Sequence, residues 1–385
     1  MYFKVLRDDK KEGGHMFQKG INMNETGLFF TDEKRLPNFL GIGNKISEVI
    51  IPNGESVTEA ERGYVAHKII LVEIKELWKE DALKWLIDNG LDIHAKEEFI
   101  LWQAVRNNSI DSVRYLVQRG GNPTIMMESM FTLAAAGGYL DIMKFLKEHD
   151  RYHQIDYHDA LRRASYAGQL NSVKYLIESK MADIHFDEDI ALRSAAGNNQ
   201  FDVVRYLIEA GADIHVKNER PLQTASALGN MEIVKYLIEV GADILPGEDG
   251  AMGLAGRNGH LDVLKYLTNR KGRIPEGSDY ALAYASESGH LEAVDYLLGI
   301  GVDVHSLNEL ALKSAVRKGH LDVVGRLIEA GADVHQGNDE VIFLAVINNR
   351  YNILNFFQEI GYPIKGSLKR AAKWESIFIL NKEKV

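Results

Sequence analysis

The sequence predicts a mainly α protein: a solenoid of about ten short helix-turn-helix repeats, 30 residues each, behind a small α+β cap. Three columns predict it. Leucine-like residues recur at Leu86, Leu116, Leu146, Leu176, Leu207, Leu237, Leu267, Leu297, Leu327 and Phe357, in steps of 30 with a single step of 31 after Leu176. A second column holds alanine in nine of ten repeats, from Ala104 through Ala195 and Ala255 to Ala345. A third alternates Gly and Asn: Asn108, Gly138, Gly168, Asn199, Gly229, Gly259, Gly289, Gly319 and Asn349.

Each element follows from these columns. An apolar residue precedes each alanine by three positions, as in Leu222 with Ala225 and Leu312 with Ala315. That spacing puts both on one helix face, and the small alanine lets a neighbouring helix approach. The Gly or Asn four positions later tolerates positive φ and ends a first helix of about two turns. Next comes an apolar residue and then an acid or its amide, as in Leu261-Asp262 and Leu321-Asp322, which suits a helix N-terminus. The second helix carries apolar spacing near 3.6, as in Val203-Val204-Arg205-Tyr206-Leu207-Ile208. It stops at Gly90, Gly120, Gly211, Gly241, Gly301, Gly331 and Gly361, and an extended link leads on. A lone pair of short helices cannot bury its apolar face, so neighbours must stack.

The two ends leave the period. Residues 1–60 are expected to form the α+β cap, with strands over Tyr2–Leu6, 28–30 and 46–51 and a helix from Asp32 to about Leu40. The repeats are expected to occupy 61–365. Leu368 and Ala371 restate the apolar-alanine pair, which predicts a terminal capping helix over 366–385. Three places break the pattern: an extra residue in 179–182, a missing turn glycine in 148–153, and a basic island at 270–273.

Composition narrows the function classes. There are no cysteines, which excludes disulfides, thiolate nucleophiles and Cys-ligated zinc. A formal charge of −10 argues against a sequence-blind grip on nucleic acid. The first residues hold no apolar core of a signal peptide, and no apolar run approaches the roughly 20 residues that span a bilayer. The expectation is a soluble, intracellular protein without a membrane partner.

The columns together resemble the ankyrin repeat. The strings that carry the resemblance are Ala-Gly-Gly-Tyr-Leu-Asp-Ile at 136–142, Gly-His-Leu-Asp-Val at 259–263 and 319–323, and Gly-Ala-Asp-Ile or Val at 211–214, 241–244 and 331–334. They place the chain in an ankyrin-type α-solenoid. The period is 30 instead of 33, and the missing residues lie in the link, so the projecting hairpins should be shortened. The Thr-Pro-Leu-His tetrad is reduced to Pro221-Leu222. Repeats ending in Gly-Ala-Asp-Ile-His behind a separate N-terminal segment, with the blocks 27–32 and 46–52, are similar to the multi-copy ankyrin proteins of mimivirus-like giant DNA viruses. The resemblance implies a non-enzymatic scaffold or adaptor that binds a host or viral protein in the host cytoplasm, as a monomer, without a cofactor. The last 20 residues show no F-box. The alternatives are an enzymatic or nucleotide-binding activity in residues 1–60, targeted by the repeats, and a structural role in the virion.

Histidine is the residue that invites a chemical reading. One column is His94, His185, His215, His305 and His335, after the Gly-x-Asp turn; the other is His260, His290 and His320, after the turn glycine. Equivalent positions on stacked helices lie roughly 8–10 Å apart, whereas zinc needs each ligand at about 2 Å. The expectation is turn and loop hydrogen bonding and no metal. His149, His153 and His158 form a looser group with the same reading. No phosphate loop, Gly-x-Ser-x-Gly or His-Glu-x-x-His motif is present. In ankyrin stacks the links and the exposed side of the first helix bind partners. Carried over by position, this points to Arg106, Tyr166, Arg257, Glu287 and Arg317, with Tyr284 beside them. Arg and Tyr are enriched at binding hot spots.

Overall fold

The computed structural model describes residues 1–12, 15–244, 250–269 and 275–362. The chain divides into two compact parts, Met1–Asp183 and Ile184–Val385. The basic island at 270–273 and the expected capping helix at 366–385 lie outside the described residues.

The first part opens with strands β1 (Tyr2–Leu6), β2 (Lys11–Glu12), β3 (His15–Met16), β4 (Gly20–Asp32), β5 (Lys45–Ile50), β6 (Thr58–Ala60), β7 (Gly63–Leu71) and β8 (Lys75–Glu76). Six of them form an antiparallel sheet in the order β6-β7-β4-β1-β5-β8, and β7 also pairs with β5. That extra pairing closes β1, β4, β7 and β5 into a ring. The register runs Phe3 to Thr31, Val5 to Ile46, Phe30 to Tyr64 and Val49 to Leu71. Alternate side chains of these strands turn inward, and Leu6, Leu28, Phe30, Val49, Ala66, Ile69 and Leu71 pack with Phe17 as one core. Closure leaves the four central strands without a free edge.

The sheet corrects two expectations. Asp32 starts no helix to residue 40. Its Oδ1 accepts the Arg35 N–H at 3.0 Å, and a single 3-10 turn follows over Leu36–Asn38, with Pro37 inside it and Gly41 and Gly43 beyond. The expected boundary at 60 falls within the sheet, because 63–71 pairs with β4 and β5 as a strand. Leu71 therefore faces the sheet core, and the first repeat keeps only its second helix, Glu80–Asp88. The sequence held the warning: this is the one repeat without the column alanine, having Ile74 there. Val65, Ile69 and Ile70 are β-branched, and their cross-strand packing outweighs the period.

Among the described residues nine helix pairs follow, from Ala95–Arg106 with Ile110–Gln118 to Gln336–Ile347 with Tyr351–Glu359. The leucine and alanine columns are buried throughout, which is what stacking of pairs within each part requires. The third column does end the first helices in a left-handed residue, with φ of 75° at Gly138 and 57° at Asn199. Lys180, in the repeat with the extra residue, takes the same conformation with φ of 53°.

Candidate interaction surface

Among the described residues the links contain no strand; four of them hold a left-handed turn instead, and Pro123–Met126 is a 3-10 turn. Three consecutive non-glycine residues have φ between 45° and 66° at Lys96-Glu97-Glu98, Asp187-Glu188-Asp189, Lys217-Asn218-Glu219 and Leu307-Asn308-Glu309. Left-handed backbone costs roughly 1–2 kcal/mol per L-residue, so local contacts must hold it. Four do. The link aspartate accepts the histidine N–H, as Asp213 does from His215 at 2.8 Å and Asp303 from His305 at 3.0 Å. The histidine Nδ1–H donates to an acid four residues on: His94 to Glu98 at 2.6 Å, His215 to Glu219 at 2.5 Å and His305 to Glu309 at 2.5 Å, with His185–Asp189 and His335–Asp339 alike. The acid's own N–H closes the turn on the histidine carbonyl, at 3.3 Å for Glu219 and Glu309. Its carboxylate then accepts from the next link, Asp213 N–H to Asp189 at 3.2 Å and Asp333 N–H to Glu309 at 3.1 Å.

These acids are buried, while the histidines they hold are half exposed. The carboxylate bond raises the His94, His215 and His305 pKa values above 6.5, with nearby aspartates adding to it. Sequence reading missed the acids. Their signal was present, since Asp189 to Glu219 and Glu309 to Asp339 repeat the 30-residue step, but an acid in a link reads as solvated until its burial is seen.

The second histidine column stitches repeats together. Nε2–H of His260, His290 and His320 donates to the carbonyls of Ala227, Arg257 and Glu287 one repeat earlier, at 3.0, 3.1 and 3.0 Å. Arg350 takes the same place and reaches Arg317 O at 3.0 Å. Both columns thus serve turns and links, as the sequence suggested.

Of the six residues expected to meet a partner, four come together. Arg257 ends the helix Ala251–Arg257, and its guanidinium lies 3.9 Å from the ring centre of Tyr284 on the next first helix, Ser278–Ser288. The ring is buried, so it acts as a floor beneath the cation. Glu287, one turn on, meets Arg317 at 3.3 Å and Lys318 at 3.4 Å on the helix Ser306–Lys318. Leu228 and Arg220 are exposed at the preceding first helix. The face therefore sets Arg257, Arg317 and Lys318 against Glu287. Arg106 and Tyr166 belong to the first part. Arg106 stands 5.8 Å from the Trp102 ring and borders a cleft of about 480 Å³ with Arg7, Asp8 and Gln103; Tyr166 is 55% exposed.

The N-terminal sheet holds a cavity of about 120 Å³ lined by Phe3, Lys4, Leu6, Phe29, Phe30 and Phe39. Small-molecule sites usually measure about 300–1,000 Å³. Burial pushes the Lys4 pKa down although Glu12 pairs with its amine, and the amine lies over the Phe17 ring at 4.7 Å. Among the described residues one trio, His215, Glu219 and Asp243, brings ligand-type atoms within 4.8 Å of one another. Its His-Glu pair recurs as a link bond at 94–98 and 305–309, and Asp243 of the following link adds the third acid.

A family model described as ankyrin repeats (3 copies) matches in six overlapping windows that together run from residue 131 to 365, more than half of the chain. The chain belongs to the ankyrin-repeat family. Ankyrin repeats serve in general as protein-interaction scaffolds and typically carry no catalysis. The chain is 27% identical over 137 residues to an ankyrin repeat protein of Acanthamoeba polyphaga mimivirus, a match over 31% of this chain and 41% of that relative's length. It is 26% identical over 134 residues to an uncharacterized protein of the same virus, covering 30% of this chain and 97% of the relative. Among solved structures, the ankyrin repeat domain of human ASB11 matches at 20% identity with a TM-score of 0.38, over 48% of this chain and 96% of that one. Among the described residues no helix of this ankyrin protein is long and apolar enough to cross a membrane.

Proposed function

We propose that the chain is a non-enzymatic scaffold whose first-helix face in the second part binds an acidic segment of another protein. The observation that supports this is the set Arg257 on Tyr284 beside Glu287 with Arg317 and Lys318. Arg257 has no carboxylate partner among the described residues, so it is available to a ligand. A guanidinium held flat on a ring loses little freedom on binding a carboxylate, which is how a hot spot gains affinity. The face is cationic on a chain of charge −10, which selects an acidic partner by contrast. Similarity to mimivirus proteins supports a viral setting, and with it a host or viral partner in the host cytoplasm. The N-terminal sheet serves as a cap: Phe3 packs edge-on against Trp85 at 5.5 Å, and Ser109 and Ser112 bond to Trp78 O. Its 120 Å³ cavity lies below the usual size of a small-molecule site.

The test compares wild type with Arg257→Glu/Arg317→Glu in quantitative capture from host lysate and against acidic peptides. The double reversal is expected to weaken binding at least tenfold, about 1.4 kcal/mol or more, while stability falls by about 1–2 kcal/mol, from the lost ring contact and the reversed ion pair, and the chain stays folded. Equal retention by both proteins would remove this face from consideration.

A further inference from the structure

We propose that the histidine-carboxylate bonds of the links form a pH-operated latch, closed in mildly acidic surroundings and released as the pH rises. Each latch holds three consecutive left-handed residues that have no glycine among them at 96–98, 217–219 and 307–309. The second oxygen of Glu98, Glu219 and Glu309 is buried without a hydrogen-bond partner among the described residues, so the imidazole is the main counter-group of each carboxylate. In the Glu309 link the same carboxylate also accepts the Asp333 N–H of the following repeat, which makes the latch a joint between repeats.

The groups that face each ring are all acidic. Asp92 and Glu98 face His94; Asp213, Glu219 and Asp243 of the next link face His215; Asp303, Glu309 and Asp333 of the next link face His305. They hold the proton on the ring more firmly in the folded chain than in the unfolded one. The sign follows from linkage. A histidine whose pKa is raised on folding contributes its full stability below its unfolded value near 6.5, and loses that contribution as pH rises through the folded value. The neutral ring still donates its Nδ1–H, but a charge-assisted bond is roughly twice as strong as a neutral one. A buried carboxylate that loses its cation then weighs against the strained turn. Between the repeats that bear the proposed contact face, the link through His305 and Glu309 is such a joint, so its release would loosen that surface.

The experiment follows the thirteen histidines of the full chain, labelled at carbon, by NMR from pH 5.5 to 8.5, in native buffer and in urea. His94, His215 and His305 are expected to titrate above their own unfolded midpoints. Glu98→Gln, Glu219→Gln and Glu309→Gln should each lower the midpoint of the one histidine they face and leave the other two in place. In parallel, the urea midpoint of the wild type should fall between pH 6 and 8.5, and fall less in the triple variant His94→Gln/His215→Gln/His305→Gln, which keeps a donor but cannot titrate. Native midpoints at or below the unfolded ones would overturn the proposal by themselves, even if no variant folds. An equal pH slope in wild type and triple variant would overturn it as well.

Discussion

Leu237→Ala is expected to lower the stability of the chain by about 2–5 kcal/mol, the range for buried leucines replaced by alanine. Leu237 lies in the helix Met231–Glu239 and is fully buried beside Ile233 and Val234. The substitution removes three heavy atoms from a site walled by stacked helices. These are anchored at both ends by neighbouring repeats, so they can close only part of the space. In a repeat stack the loss falls on one repeat and its two interfaces. Urea unfolding should therefore show an earlier first transition. Hydrogen exchange should rise most in the helices Val216–Ala227 and Met231–Glu239. An unchanged unfolding curve would mean that the leucine column does not form the core.

Gly259→Ala is expected to cost about 2–3 kcal/mol, from two sources. Gly259 has φ of +73°, which costs an L-residue roughly 1–2 kcal/mol. A Cβ there would also stand 2.7 Å from His290 Nδ1, pushing away the ring that bonds to Arg257 O. That bond is worth about 1 kcal/mol net. The two sources separate in a double-mutant cycle. With His290→Ala already present the ring is gone, and Gly259→Ala should cost about 1 kcal/mol less than in the wild type. Strict additivity would show that the ring and the turn do not touch in solution, and with that the stitching of repeats by this column would fail.

The columns that were legible in the sequence are those whose causes are local. A glycine or asparagine at the end of a two-turn helix announces positive φ, and Gly138, Asn199 and Gly259 adopt it. The apolar and alanine positions announce a buried face because helical period is a property of the chain, and they are buried. The contact residues were legible in part. Position alone selected Arg257, Tyr284, Glu287 and Arg317, but the stacking of Arg257 on Tyr284 depends on how far two helices approach. The link acids were not legible, because Glu98, Glu219 and Glu309 look like any exposed glutamate until a following repeat covers them. The strand at 63–71 was misread for a related reason: Leu71 keeps the period by coincidence, and only the partners Gly20 and Val49 show that it belongs to a sheet.

The sequence by itself determined that this chain is an ankyrin stack with clipped links, since a 30-residue period, small residues at helix contacts and glycines at helix ends admit few other packings. Tertiary structure decided the rest. It closed the N-terminal strands into a ring, because hydrogen bonds between distant strands have no signature in either strand alone. It replaced the expected hairpin by a left-handed turn, because burial of one acid against a histidine outweighs the local preference of three residues. Period and turn chemistry act over a few residues, whereas burial of charge is settled only when a second repeat arrives to cover it.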